Sequence, residues 1–141
     1  MAVENAASLR ILVVDDDPSV RVLAKTMLND AGFLKVTATE DPLNALSRLQ
    51  RGLADFVFLD WKLPKLSGLE VLKTIRTNDK LLPIIMISSE NDRDKIVLAI
   101  KAGATDYIFK PFTKEILVEK LESAMERKKV VKQQMDDKGL T

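Results

Sequence analysis

Five short, mostly apolar runs punctuate this chain, and the segments between them carry helical periodicity. The runs fall at Arg10 to Val14, Lys35 to Ala38, Phe56 to Leu59, Pro83 to Ile87 and Asp106 to Phe109. Val/Ile/Leu/Phe-rich runs of this length suit strands of a parallel sheet, which is covered by helices on both faces. Strand alternating with helix, five times over, predicts an α/β domain built from βα units. Parallel strands all end at one edge, so the residues that follow each run are gathered in one crevice outside the carboxyl ends.

Helix limits are written in the chain as well. Asp17-Pro18 and Asp41-Pro42 each pair an N-cap carboxylate with proline at the first helical position. The third helix begins near Ser67 or Gly68, the fourth runs from about Asp92 to Ala102, and the last begins at Thr113 with Glu115 in its first turn and reaches about Gln134. Gly32, Gly52 and Gly103 follow the first, second and fourth helices as stop signals.

Composition narrows the chemistry. The 141 residues fit one domain, and 46% apolar with 30% charged residues is the balance of a soluble globular chain. A net charge of +1 gives no general pull toward nucleic acid. With no cysteine, disulfides and thiolate chemistry are excluded; with no histidine, the commonest general base and transition-metal ligand is missing. What remains is oxygen donors, which suit hard cations such as Mg²⁺. Leu81 to Ile87, the longest nearly apolar stretch, is too short to span a bilayer, so no membrane insertion is expected. Residues 1–8 lack the apolar core of a secretory signal and are expected to be a flexible segment, and the expected location is the cytoplasm.

The ends of the runs carry polar groups of particular kinds. The first is followed by Asp15-Asp16-Asp17, the third by Asp60, the fourth by Ser88-Ser89 and the last by Lys110-Pro111. Each has an ordinary explanation: Asp17 caps a helix, Asp15 and Asp16 sit in a solvated turn, Asp60 opens a loop, Ser88 caps a turn and Lys110 lies on the surface. Those explanations do not predict acid, acid, hydroxyl and lysine at four strand ends of one sheet. Adjacent carboxylates repel one another and favour a cation between them. A carboxylate can attack phosphorus to form an acyl phosphate, provided that nearby cations offset the repulsion between anions.

The set Val14-Asp15-Asp16, Asp60-Trp61-Lys62-Leu63-Pro64-Lys65-Leu66-Ser67-Gly68, Ser88-Ser89-Glu90, Gly103-Ala104-Thr105-Asp106-Tyr107 and Lys110-Pro111-Phe112 resembles the CheY-like receiver domain of bacterial two-component response regulators. The resemblance covers about residues 9–125, leaving 126–141 as an expected extension of the last helix with a C-terminal tail, too short for an output domain, so that the chain is either a stand-alone regulator or the receiver of a longer protein. It implies a single-domain, flavodoxin-like (βα)5 fold, a doubly wound parallel sheet of strand order 2-1-3-4-5. It implies that Asp60 takes a phosphoryl group from a partner histidine kinase or phosphotransfer protein, as a phosphoprotein switch rather than an enzyme with its own substrate. Mg²⁺ is then held by Asp16 and Asp60 directly, by Asp15 through water and by the backbone carbonyl of Lys62. Lys110 binds a phosphoryl oxygen, aimed by a cis Lys110-Pro111 bond. Ser88 donates its hydroxyl to another oxygen, and Tyr107 turns inward as Ser88 moves. The downstream protein target is expected on the face of the fourth helix, last strand and last helix.

Three positions depart from the commonest family pattern. Ser88 replaces threonine, Ser67 stands where many members have aspartate, and Lys62 adds a cation at the mouth of the site. Lys62, Ser89 and Glu90 are therefore expected to tune the lifetime of the phosphoryl group, the first and last as an ion pair. Leu121, Ala124, Lys128, Val131 and Met135 follow a 3-4 spacing and form a candidate seam for a phosphorylation-dependent dimer, against the plainer reading of an exposed helix with basic last turns. Competing functions are weaker. An aspartate-nucleophile phosphatase lacks a second aspartate two residues after Asp60, a nucleotide-binding Rossmann domain lacks its glycine-rich loop, and a phosphate-independent binding module leaves the acidic cluster idle.

Overall fold

The computed structural model of the chain describes residues 5–89 and 93–139. Among the described residues five strands and five helices alternate: β1 (Arg10–Val14), α1 (Pro18–Asp30), β2 (Lys35–Thr39), α2 (Pro42–Gln50), β3 (Phe56–Asp60), α3 (Gly68–Arg76), β4 (Ile84–Ser88), α4 (Arg93–Lys101), β5 (Asp106–Phe109) and α5 (Lys114–Asp137). All strand pairs are parallel, in the order β2-β1-β3-β4-β5. This is the flavodoxin-like, doubly wound arrangement expected from the sequence.

Strand alternation sorts the core into two halves. Ile11, Val13, Phe56, Phe58, Ile85, Ile87 and Ile108 face α1 and α5 and pack with Ala24, Leu28, Leu117, Leu121 and Ala124. The residues between them, including Leu12, Val14, Val57, Leu59, Ile84 and Met86, face α2, α3 and α4. Phe56 and Phe58 pack with their rings tilted at 47° and 5.0 Å between centroids, and are fully buried. Period-2 patterning is thus satisfied twice, once on each face of the sheet.

The helix starts form as the caps dictate. Asp17 accepts from the Ser19 amide, Asp41 from Leu43, Ser67 from Glu70 and Thr113 from Ile116. β4 begins at Ile84 rather than Pro83, since proline has no N–H for a ladder; its carbonyl still accepts from Val57. β3 and β4 each run one residue further than predicted, to Asp60 and Ser88, so two of the polar groups are the last residues of strands.

At the opposite edge, Arg76 ties two connections together, α3–β4 and α4–β5. Its guanidinium donates to the carbonyls of Gly103 (2.8 Å), Asp79 (3.0 Å) and Leu82 (2.7 Å). Gly103 has φ +104°, and a β-carbon there would press on the Arg76 side chain, so the glycine serves both the turn and the arginine.

α5 extends three residues beyond the predicted Gln134. The proposed seam along it does not survive: Leu121 and Ala124 are buried against α1 and the sheet, which leaves only the later positions for any partner.

Candidate functional site

Alternation also explains which polar groups meet. Asp15 follows Val14, Asp60 follows Leu59 and Lys110 follows Phe109, so all three carry on the α1/α5 side of their strands. Lys110 Nζ lies 2.8 Å from Asp15 Oδ2 and 3.3 Å from Asp60 Oδ2. Asp15 is 1% exposed and Asp60 4%, so the ammonium is the counter-ion of two buried carboxylates. Asp15 Oδ1 accepts from the Asp17 amide at 2.9 Å, whereas Oδ2 has the charge of Lys110 without a well-directed hydrogen bond. Asp16, next in the chain, is exposed at the mouth.

Two carboxylates and one lysine do not neutralise one another. Burial first, and the Asp15 charge second, push the Asp60 carboxyl up to about 6, while Lys110 acts in the opposite direction. For Lys110, burial pulls the ammonium down, but its close contact with Asp15 and the charges of both acids outweigh it and raise its pKa. The site therefore holds surplus negative charge at neutral pH. Asp15, Asp16 and Asp60 each offer an oxygen, these atoms lying within 4.8 Å of one another. An all-oxygen set with surplus negative charge and an exposed member fits a hard divalent cation such as Mg²⁺.

Ser88 and Tyr107 have the opposite parity. In the β4–β5 register Met86 pairs with Tyr107 and Ser88 with Phe109, and Met86 faces the α3/α4 core. Ser88, two residues on, shares that face at the crevice edge and is buried. Tyr107 is buried there too, its ring 5.3 Å from that of Phe109 and its hydroxyl without a hydrogen-bond partner among the described residues. Lys62 lies exposed in the β3–α3 loop and Ser89 is exposed after β4, while Glu90 lies outside the described residues. The Lys110-Pro111 bond is cis, and the Lys110 amide donates to the Ser88 carbonyl at 2.9 Å.

Three neighbours have roles that sequence reasoning did not assign. Arg21 of α1 donates to the Asp15 carbonyl at 2.9 Å and sits 4.0 Å from Glu40, bracing the acidic turn through its main chain. Gly68 donates to the Trp61 carbonyl at 2.8 Å, and a β-carbon on it would collide with the Asp60 carbonyl. Lys95 of α4 places Nζ 5.4 Å from the centroid of the Trp61 ring. Only Gly68 had a sequence signal, as the glycine opening α3.

Known proteins resemble this chain in sequence and in fold. The profile of the family described as "Response regulator receiver domain" matches residues 11–122. Chemotaxis protein CheY-3 of Vibrio cholerae is 42% identical over 122 residues, 85% of this chain and 94% of that protein. Chemotaxis protein CheY of Pseudomonas aeruginosa is 38% identical over 121 residues, 84% of this chain and 98% of that one. The crystal structure of Vibrio cholerae CheY4 superposes with a TM-score of 0.76 at 31% identity, covering 82% of this chain and 98% of that one.

Proposed function

This chain belongs to the response regulator receiver domain family, and from that premise we propose that it is a phosphorylation-controlled switch whose acceptor is Asp60. The observation that carries the reading is the buried Asp60 carboxylate at the end of β3, which shares the Lys110 ammonium with Asp15. In the transfer, an Asp60 oxygen attacks the phosphorus of a phosphohistidine on a partner kinase or phosphotransfer protein. The O–P bond forms, the P–N bond breaks, and the released imidazole nitrogen takes a proton. Lys110, already within 3.3 Å of Asp60, exchanges a carboxylate oxygen for a phosphoryl oxygen.

Asp15, Asp16, Asp60 and the Lys62 carbonyl would hold Mg²⁺, with Asp15 acting through water. That ion supplies positive charge against the incoming phosphoryl oxygens. Arg21 keeps the Asp15 main chain in place, and burial keeps water from competing for the carboxylates. Ser88 donates its hydroxyl to the phosphoryl group. A new bond to one state is a differential interaction, and such a difference shifts a conformational equilibrium. Tyr107, on the same face of the sheet, is the side chain that responds. The surface that changes comprises α4, β5 and α5, where Val97, Phe109 and Ile116 are exposed. It is the proposed docking site for a protein target, with no direct role for nucleic acid.

Residues 9–125 form the working unit, residues 126–141 its helical extension, and the proposed setting is the cytoplasm; no helix among the described residues is long and apolar enough to cross a membrane. A phosphorylation-dependent dimer would have to use the exposed later part of the seam around Val131, with its neighbour Val130, and not the buried Leu121 and Ala124. Incubation with a small acyl phosphate and Mg²⁺ tests the reading: hydroxylamine-sensitive label should appear on the wild type and vanish in Asp60→Asn. Label that persists in that variant would overturn the assignment of the acceptor.

A further inference from the structure

α4 is the helix least secured by burial. Among its described residues only Ala99 is buried, whereas α3 buries Gly68, Val71, Leu72 and Ile75. Val97, Leu98 and Ile100 of α4 are instead exposed. With so little apolar contact holding it, a single further contact has a large share in fixing where α4 lies. Lys95 makes such a contact, with its Nζ over the face of the Trp61 indole. Its position is not explained by the helix, because a cation in the first turn opposes the macrodipole. Trp61 in turn follows Asp60 directly. Its amide donates to the Ile87 carbonyl and its carbonyl accepts from Gly68, so its main chain is pinned on both sides of the crevice.

We propose that Lys95 is a positioning residue that latches the start of α4 onto Trp61, and that a phosphoryl group on Asp60 releases the latch. The second clause rests on the receiver reading. An aspartyl phosphate brings roughly two negative charges beside the indole, and the ammonium, on a flexible stem, then has a stronger counterpart than an aromatic face. The indole is a neutral partner for Lys95, while the phosphoryl group is an ionic one. Occupancy of the site therefore draws the ammonium off the indole face. Because the stem is flexible, the head follows the phosphoryl group without fixing α4 where the indole contact held it, so that the helix shifts together with the apolar side chains on its outer surface.

The test compares the full chain with Lys95→Met, which keeps the stem and removes the charge, and Lys95→Arg, which keeps the charge. Amide exchange in α4 and acrylamide quenching of Trp61, the only tryptophan, are measured with and without Mg²⁺ plus beryllium fluoride. Without these additions, Lys95→Met should exchange α4 amides about threefold faster than wild type and expose Trp61 to quencher, with Lys95→Arg close to wild type. On addition, wild type should move toward the Lys95→Met rate and Lys95→Met should change little. Equal α4 exchange in wild type and Lys95→Met, or an arginine variant that behaves like the methionine one, overturns the latch. Failure of Asp60 to take up phosphate in all three proteins would instead remove the proposed phosphoacceptor role, and the comparison without additions would still decide whether Lys95 holds α4.

Discussion

Gly68 packs its α-carbon against the main chain of Asp60 so closely that a β-carbon would run into the Asp60 carbonyl, with Trp61 Cα 3.2 Å away. The obstacle is backbone, which cannot swing aside as a side chain can. Gly68→Ala should therefore destabilise the fold by about 3 kcal/mol, at the upper part of the overpacking range. Gly52→Ala, where nothing lies within 4 Å but φ is +68°, should lose only about 1 kcal/mol. Urea unfolding of the two variants checks the contrast, and phosphate uptake by folded Gly68→Ala should also fall because Asp60 itself is displaced.

Asp60 makes stability depend on pH. Its folded pKa, about 6, lies above the ordinary carboxylate value, so the folded state holds the proton more tightly than the unfolded chain. The contribution is complete below about pH 4 and is lost as pH rises through 6. Asp60→Asn has no charge to bury and should exceed wild type at pH 7.5 by about 1 to 2 kcal/mol, solvent at the mouth screening part of the effect, with the gap closing near pH 4. Urea midpoints in metal-free buffer at the two pH values measure it.

Mg²⁺ should reverse that penalty. Binding requires the Asp60 carboxylate, and at pH 5.5 only about a quarter of a group titrating near 6 is ionised. The affinity followed by Trp61 emission should therefore be about fourfold weaker at pH 5.5 than at pH 8. Asp16→Ala should weaken it further at both pH values, since that carboxylate is the exposed member of the cluster. Unchanged emission across the titration would count against a metal at these residues.

Removal of the Arg76 side chain leaves three carbonyls without their donor. Arg76→Ala should lose about 2 to 3 kcal/mol, and Arg76→Lys should recover little, since one ammonium cannot replace a planar fork spanning three acceptors. The expected signature is lower thermal stability with Mg²⁺ affinity intact, because the arginine sits at the edge of the sheet away from the acids.

Lys62 offers a test of signal duration. It is exposed, so Lys62→Ala should change stability by less than about 1 kcal/mol. The decay of phosphate from Asp60 should nonetheless shift, because the charge sits in the loop that follows β3, two residues after the proposed acceptor. Equal decay rates in wild type and variant would sink this role.

Most of the fold was legible because local signals agreed with one another. Asp17-Pro18 and Asp41-Pro42 open helices as their chemistry requires, and the runs at Arg10 and Asp106 became strands with the predicted limits. Asp15, Asp60 and Lys110 could be grouped from strand ends alone, since a parallel sheet brings its carboxyl ends together. What escaped detection depends on long side chains reaching across the structure. Nothing in the spacing of Arg21, Arg76 or Lys95 reveals that one finds a carbonyl of the acidic turn, another three carbonyls and the third an indole face. The seam along α5 failed for a related reason: a 3-4 pattern marks an apolar stripe without saying whether the stripe faces the core or a partner, and for Leu121 and Ala124 it faces the core.

α5 is fastened to the sheet by Lys120 and Arg127, both paired with Asp106, with Arg127 also reaching the Thr105 carbonyl. Beyond Arg127 the helix continues to Asp137, a projecting rod of about 15 Å at 1.5 Å per residue. Asp106 thereby acts as a fulcrum at the start of the strand that carries Tyr107. A tilt of about 10° there sweeps the far tip through about 3 Å on this geometry. A displacement too small to disturb the packing around Leu121 becomes, at the end of the lever, a movement the size of a hydrogen bond.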